Sequence, residues 1–109
     1  MSKRDHLGEF EQVVLLATMR LGPDAYGVTI KDEIEARTRR KVSLGAIYPT
    51  VDRLEEKGFV TSRAGEPTAE RGGRSRRHIK IKPAGLRALR RSHEMLAALW
   101  DGFEQEVTP

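Results

Sequence analysis

The chain has no cysteine among its 109 residues. That excludes disulfides, thiolate catalysis and cysteine-based zinc sites, and it suits a reducing compartment. No apolar run is long enough to cross a membrane. The opening MSKRDHLGEFEQ lacks the apolar stretch of a secretion signal, so a cytoplasmic location without membrane attachment is expected. Aromatic residues make up only 6% of the chain, and no set of rings is arranged as a stacking platform for RNA bases. The three histidines, His6, His78 and His93, fall in separate segments, none beside an acid at a metal-ligand spacing. Gly72-Gly73-Arg74 lacks the Gly-Lys-Ser/Thr ending of a phosphate loop. Glu55–Glu56 reads as a solvated helix end. Neither an enzyme nor a cofactor is indicated.

What the chain does have is basic charge in two blocks. The net charge is +4. Residues 71–82 hold Arg71, Arg74, Arg76, Arg77, Lys80 and Lys82 with no acid between them, and residues 37–41 hold Arg37, Arg39, Arg40 and Lys41. The far end is acidic, with Asp101, Glu104 and Glu106. Isolated clusters of this kind are usually solvated surface. Two of them around one structural unit suit a polyanion.

That unit is the segment 43–82. Apolar spacing predicts a first helix from about Gly8 to Leu21, built on Leu7, Phe10, Val14, Ala17 and Leu21 with Val13 and Leu16 beside them. Gly22 and Pro23 stop it. Asp24 is placed as the N-cap of a second helix carrying Tyr26, Val28, Ile30 and Ile34 and fraying near Arg39. Ser43 is the expected N-cap of a third helix, with Val42 and Ile47 in the positions of a hydrophobic staple. Ile47, Val51 and Leu54 form its buried stripe. Pro49 removes a helical hydrogen bond, so a kink or an irregular first turn is expected, and Gly58 ends the helix. Phe59–Arg63 and Arg77–Lys82 read as strands, the second with Ile79 and Ile81 on one face. Residues 64–75 are too rich in Gly, Pro and polar groups to hold regular structure. Pro83 opens a last helix. On it Leu86, Leu89, His93, Leu96, Trp100, Phe103 and Val107 repeat at three and four, a heptad seam along the whole helix that calls for a second copy of the chain.

These residues resemble the PadR family of bacterial transcriptional regulators. The resemblance is carried by Tyr26–Gly27, the block SLGAIYPTVDRLEEKGFV (43–60), GGRSRR (72–77) and PAGLRAL (83–89). It implies a mainly α fold with a small β-hairpin. A winged helix-turn-helix domain would occupy residues 1–83, and a dimerisation helix residues 84–109. It implies a homodimer bound to palindromic double-stranded DNA, as a repressor. Carried over by position, Ser43 to Arg53 becomes the recognition helix, with Gly45 and Ala46 allowing close approach and Tyr48, Thr50 and Arg53 contacting phosphates or base edges. Arg71, Arg74, Arg76 and Arg77 become the wing. In the compact subfamily an aromatic of the last helix lines an effector cavity, and Trp100 holds a similar place. Two departures stand out. His78 and Ile79 replace wing aromatics, and Lys82 replaces a capping Thr. The alternative is a winged-helix module that binds proteins and no nucleic acid, since the fold serves both ends.

Overall fold

The computed structural model describes residues 6–67 and 75–103. In chain order it has helix α1 (Glu9–Leu21), a 3-10 turn (Gly22–Asp24), helix α2 (Gly27–Thr38), helix α3 (Leu44–Glu56), strands β1 (Val60–Pro67) and β2 (Ser75–Ile81), and helix α4 (Pro83–Trp100). This is the expected mainly α architecture with one antiparallel hairpin. The pairing runs from Val60↔Ile81 to Ala64↔Arg77, with an irregularity before Pro67↔Ser75.

The core explains the layout. Val14, Leu15, Ile30, Ile34, Ile47, Val51, Leu54, Phe59, Val60 and Ile79 are all buried, so α1, α2, α3 and the hairpin each contribute one apolar face. Ile47, Val51 and Leu54 are fully enclosed. Burying each such side chain contributes about 1.5–3 kcal/mol, against about 0–1 kcal/mol for an exposed ion pair. This stripe therefore orients α3, and surface charge does not.

Local signals set the element ends. Ser43 caps α3, its hydroxyl accepting from the Ala46 amide at 3.1 Å. The carbonyl of Ser43 accepts from both Ala46 and Ile47 at 3.1 Å, so the first turn is tightened, as expected near Pro49. The helix nevertheless runs unbroken through Pro49. Gly45, whose carbonyl loses its partner there, is exposed like Pro49, so water can take the place of the missing amide. At the other end the amides of Gly58 and Phe59 bond to the carbonyls of Glu55 and Leu54 at 3.0 and 2.9 Å. That is a Schellman ending, with Gly58 at φ 79° where an L side chain would be strained.

Four expectations are corrected. Asp24 does not cap α2: it lies in the 3-10 turn, and Tyr26 holds the N-cap position while Thr29 accepts from the Tyr26 amide at 3.0 Å. Leu15, not Leu16, joins the core, and Leu16 is 51% exposed. The strands are longer than the composition suggested, because pairing carries through Ala64 to Pro67 and Ser75 despite the turn-forming residues. The heptad seam also fails as a single seam. Helix α4 ends at Trp100, with Phe103 beyond it in a turn, and Leu89 is buried with Ala88 in the chain's own core. Val107 lies outside the described residues. The other large apolar side chains of α4 are uncovered: Leu86, Met95, Leu96, Leu99 and Trp100 are exposed, as are Phe103 in the turn and Met19 on α1. His93 is exposed among them.

Candidate nucleic-acid interface

Helices α2 and α3 and the turn between them form a helix-turn-helix, and the turn is held from both sides. Arg39 takes the left-handed conformation, φ 60°. Thr38 accepts from the Arg40 amide at 3.1 Å, and Glu35 accepts from the Val42 amide at 3.0 Å. That amide bond, and then Lys31 at 3.0 Å, hold the Glu35 carboxyl below its ordinary value. Glu33 is lowered likewise, first by the Arg37 side-chain bond and further by Arg20. The exposed surface beyond the turn comprises Arg39, Lys41, Ser43, Gly45, Ala46 and Pro49. An open hollow of about 460 Å³ lies there, between Phe10, Arg40, Lys41, Val42, Ser43 and Ala46. Arg40 is partly engaged, donating to Glu9 at 2.8 Å and lying over the Phe10 ring at 5.1 Å.

Three expected contact residues have other tasks. Thr50 is 1% exposed. Its hydroxyl donates to the Ala46 carbonyl at 2.9 Å and accepts from Arg53 at 3.0 Å, so the expectation that it reaches DNA is withdrawn. A β-branched Thr on the apolar side of a helix can satisfy its hydroxyl within the helix. Tyr48 is half-buried and leans on α2. A Cβ added at Gly27 would lie 2.3 Å from its hydroxyl oxygen, so the Tyr26–Gly27 pair leaves room for the ring from α3. Arg53 stays largely exposed but is tethered, to Thr50 and at 3.9 Å to Glu11. Glu11 is itself buried, bonded to Lys57 at 2.9 Å and to the Gly8 amide at 2.8 Å.

The root of the wing is also built from contacts within the chain. Arg76 lies over the Tyr26 ring at 4.7 Å, its Nε buried without a hydrogen-bond partner. Arg77 bonds to Asp52 at 2.8 Å and to Glu55 at 2.9 Å. The imidazole of His78 faces the Tyr26 ring with centroids 5.5 Å apart, while the Ile79 amide donates to the Ala25 carbonyl at 2.9 Å. Ala25–Tyr26 thus joins the edge of the hairpin through one isolated antiparallel bridge, Tyr26 to His78. This accounts for His78 and Ile79 in place of wing aromatics: one meets Tyr26 and the other enters the core. Arg71 and Arg74 lie outside the described residues. The sequence reading missed Tyr26, Asp52, Glu55 and Ser62, whose partners are remote in sequence and leave no spacing signal. Among the described residues no group of His, Asp or Glu is placed to hold a metal ion, and no helix is long and apolar enough to cross a membrane.

A helix-turn-helix with a hairpin strapped to the end of its second helix defines a winged-helix unit. A model of the transcriptional regulator PadR-like family matches residues 15–91, and the chain belongs to this family of transcriptional regulators, which is not an enzyme family. Solved structures share the fold. A transcriptional regulator from Clostridium thermocellum matches with TM-score 0.71 at 22% identity, covering 90% of this chain and 89% of that one. A PadR family transcriptional regulator from Eggerthella lenta matches with TM-score 0.67 at 24% identity, covering 91% and 86%. One from Clostridium difficile matches with TM-score 0.67 at 16% identity, covering 91% and 99%. No curated protein matches the sequence.

Proposed function

We propose that the chain represses transcription by binding a palindromic DNA operator as a homodimer. One observation carries this reading: the N-terminal half of α3 is uncovered at Ser43, Gly45, Ala46 and Pro49, beside the exposed cations Arg39 and Lys41. Small residues on such a face let the helix enter a major groove, and flanking cations neutralise the phosphates at its rim. The apolar side chains left exposed on α4 and α1 support a second copy seated there. Two-fold pairing would set the recognition helices about 34 Å apart, one turn of duplex. An effector seated near Trp100 would act by changing the angle between the paired α4 helices. Trp100→Ala with unchanged ligand response and unchanged operator affinity would remove that part.

The test is a mobility-shift titration on the chain's own upstream region at two salt concentrations, with light scattering for mass. A specific shift by a dimer is expected. Leu96→Glu with Leu99→Glu should give a folded monomer that has lost the specific shift by at least about a hundredfold, because like charges cannot be buried in an apolar seam. No specific shift at low salt on any genomic fragment would overturn the reading.

A further inference from the structure

We propose that Arg77 is a positioning residue that fixes the wing against the recognition helix, and that it is not a phosphate ligand. This rests on the DNA-binding reading above. Arg77 is committed three ways. Its Nη2 bonds Asp52 and Glu55 at 2.8 and 2.9 Å, and its Nε donates to the Ser62 hydroxyl at 3.0 Å. Glu55 in turn accepts from the Ser62 amide at 3.2 Å and from the Ser62 hydroxyl at 3.0 Å. Two carboxylates of α3, one hydroxyl of β1 and one guanidinium of β2 therefore close a single network, and it spans the helix and both strands of the hairpin.

Geometry and charge both follow from that. Asp52 and Glu55 sit one turn apart on α3, so Nη2 alone reaches both, while Nε of the same planar fork reaches Ser62, a division that a lysine's single ammonium makes less well. One cation against two anions leaves no surplus positive charge at this spot to offer a phosphate. Left alone, the two carboxylates would repel the DNA backbone. Arg77 masks them and at the same time sets the distance between the reading helix and the wing. Sequence choice depends on that distance, since groove and flanking phosphates must be engaged together.

The two roles predict opposite signs for one variant. Asp52→Asn with Glu55→Gln removes the anchors but keeps Arg77. If Arg77 positions the wing, the ratio of specific to non-specific affinity falls by about tenfold. If Arg77 binds phosphate, the freed cation raises that ratio and steepens the salt slope by about 0.9 for each phosphate neutralised, which would overturn the proposal. A charge exchange gives the second arm. Arg77→Glu should collapse the ratio, and Arg77→Glu with Glu55→Arg should restore it, although residue 77 is then an anion. Failure of the exchange to restore it overturns the proposal. A third readout needs no DNA. Amide exchange at Ser62 should quicken in Asp52→Asn/Glu55→Gln while Val14 and Leu15 in α1 stay protected; unchanged exchange at Ser62 counts against the clamp. If the wild-type chain selects no DNA, the DNA reading fails, and the amide-exchange readout at Ser62 still decides whether the clamp exists.

Discussion

The two basic blocks look alike in the sequence and are used differently in the fold. In the turn between α2 and α3, Arg39 and Lys41 remain exposed, and only Arg37 and Arg40 are paired, with Glu33 and Glu9. In the wing root, Arg76 rests on a tyrosine ring and Arg77 is held by two carboxylates, while Lys80 and Lys82 at the far end of that block are exposed. A run of cations is thus not a measure of charge available to a ligand. What decides availability is whether the fold brings acids and rings within reach. In the DNA-binding reading proposed above, the exposed residues of the first block attract phosphate; the described arginines of the second are engaged by a ring and two carboxylates of their own chain.

The largest expected effect separates the blocks directly. Arg39→Ala with Lys41→Ala should lower operator affinity by at least about tenfold and flatten the salt slope by about 0.9 for each phosphate left without its cation. Arg76→Ala should leave that slope in place. A fluorescence-anisotropy titration over a salt series checks both, and equal slope changes would erase the distinction.

The next prediction concerns stability of the second block. Tyr26→Ala removes the ring under Arg76 and beside His78, and should cost about 1–2 kcal/mol in urea unfolding. Tyr26→Phe keeps the ring and should stay within about 0.5 kcal/mol of the wild type. A comparable loss in both would mean that the ring is not the support.

Gly27→Ala tests the neighbouring joint. The new methyl meets the end of the Tyr48 side chain, so Tyr48 must swing outward, at a cost of about 1 kcal/mol. Tyr48→Ala in the same chain should relieve most of that cost. Thermal melts of the single and double variants measure the coupling.

The smallest effect is set by pH in the first block. The carboxyl of Glu35 titrates below its ordinary 4.5 because the Val42 amide, and then Lys31, favour the charged form. A depressed folded value means that the contribution to stability is present above pH 4.5 and is lost as pH falls through the lower folded value. Wild-type chain should therefore lose some stability over that window, and Glu35→Gln should lose less. Chemical shifts of the Val42 amide followed against pH would locate the transition. A wild-type stability curve matching that of Glu35→Gln across the window would rule this contribution out.

Local chemistry was legible in the sequence at most places where an interaction closes within a few residues, the cap of α2 assigned to Asp24 excepted. The Ser43 cap, the Gly58 ending, the Ile47–Val51–Leu54 stripe and the start of α4 at Pro83 are all of this kind. The candidate site was legible as a position, the start of α3 beside a basic turn, and less so residue by residue. Thr50 has a donor's chemistry, but it faces the core. Tyr48 was given to DNA and leans on Gly27. Leu89 keeps heptad spacing and is spent on its own domain.

The sequence by itself determined the order of helices and hairpin and the capped ends, because propensity, capping and periodicity act over one or two turns of chain; the family came from the resemblance of its motifs. Only the tertiary structure decided which of the described cations stay open. Arg77 finds Asp52 and Glu55 more than twenty residues away, and Arg76 finds Tyr26 about fifty residues away. Such partners meet only after the apolar faces of α1, α2, α3 and the hairpin have closed on one core. In water a pair of charges about 4 Å apart gains only about 1 kcal/mol and is screened beyond about 8–10 Å, so the packing comes first, and the assignment of each charge follows from it.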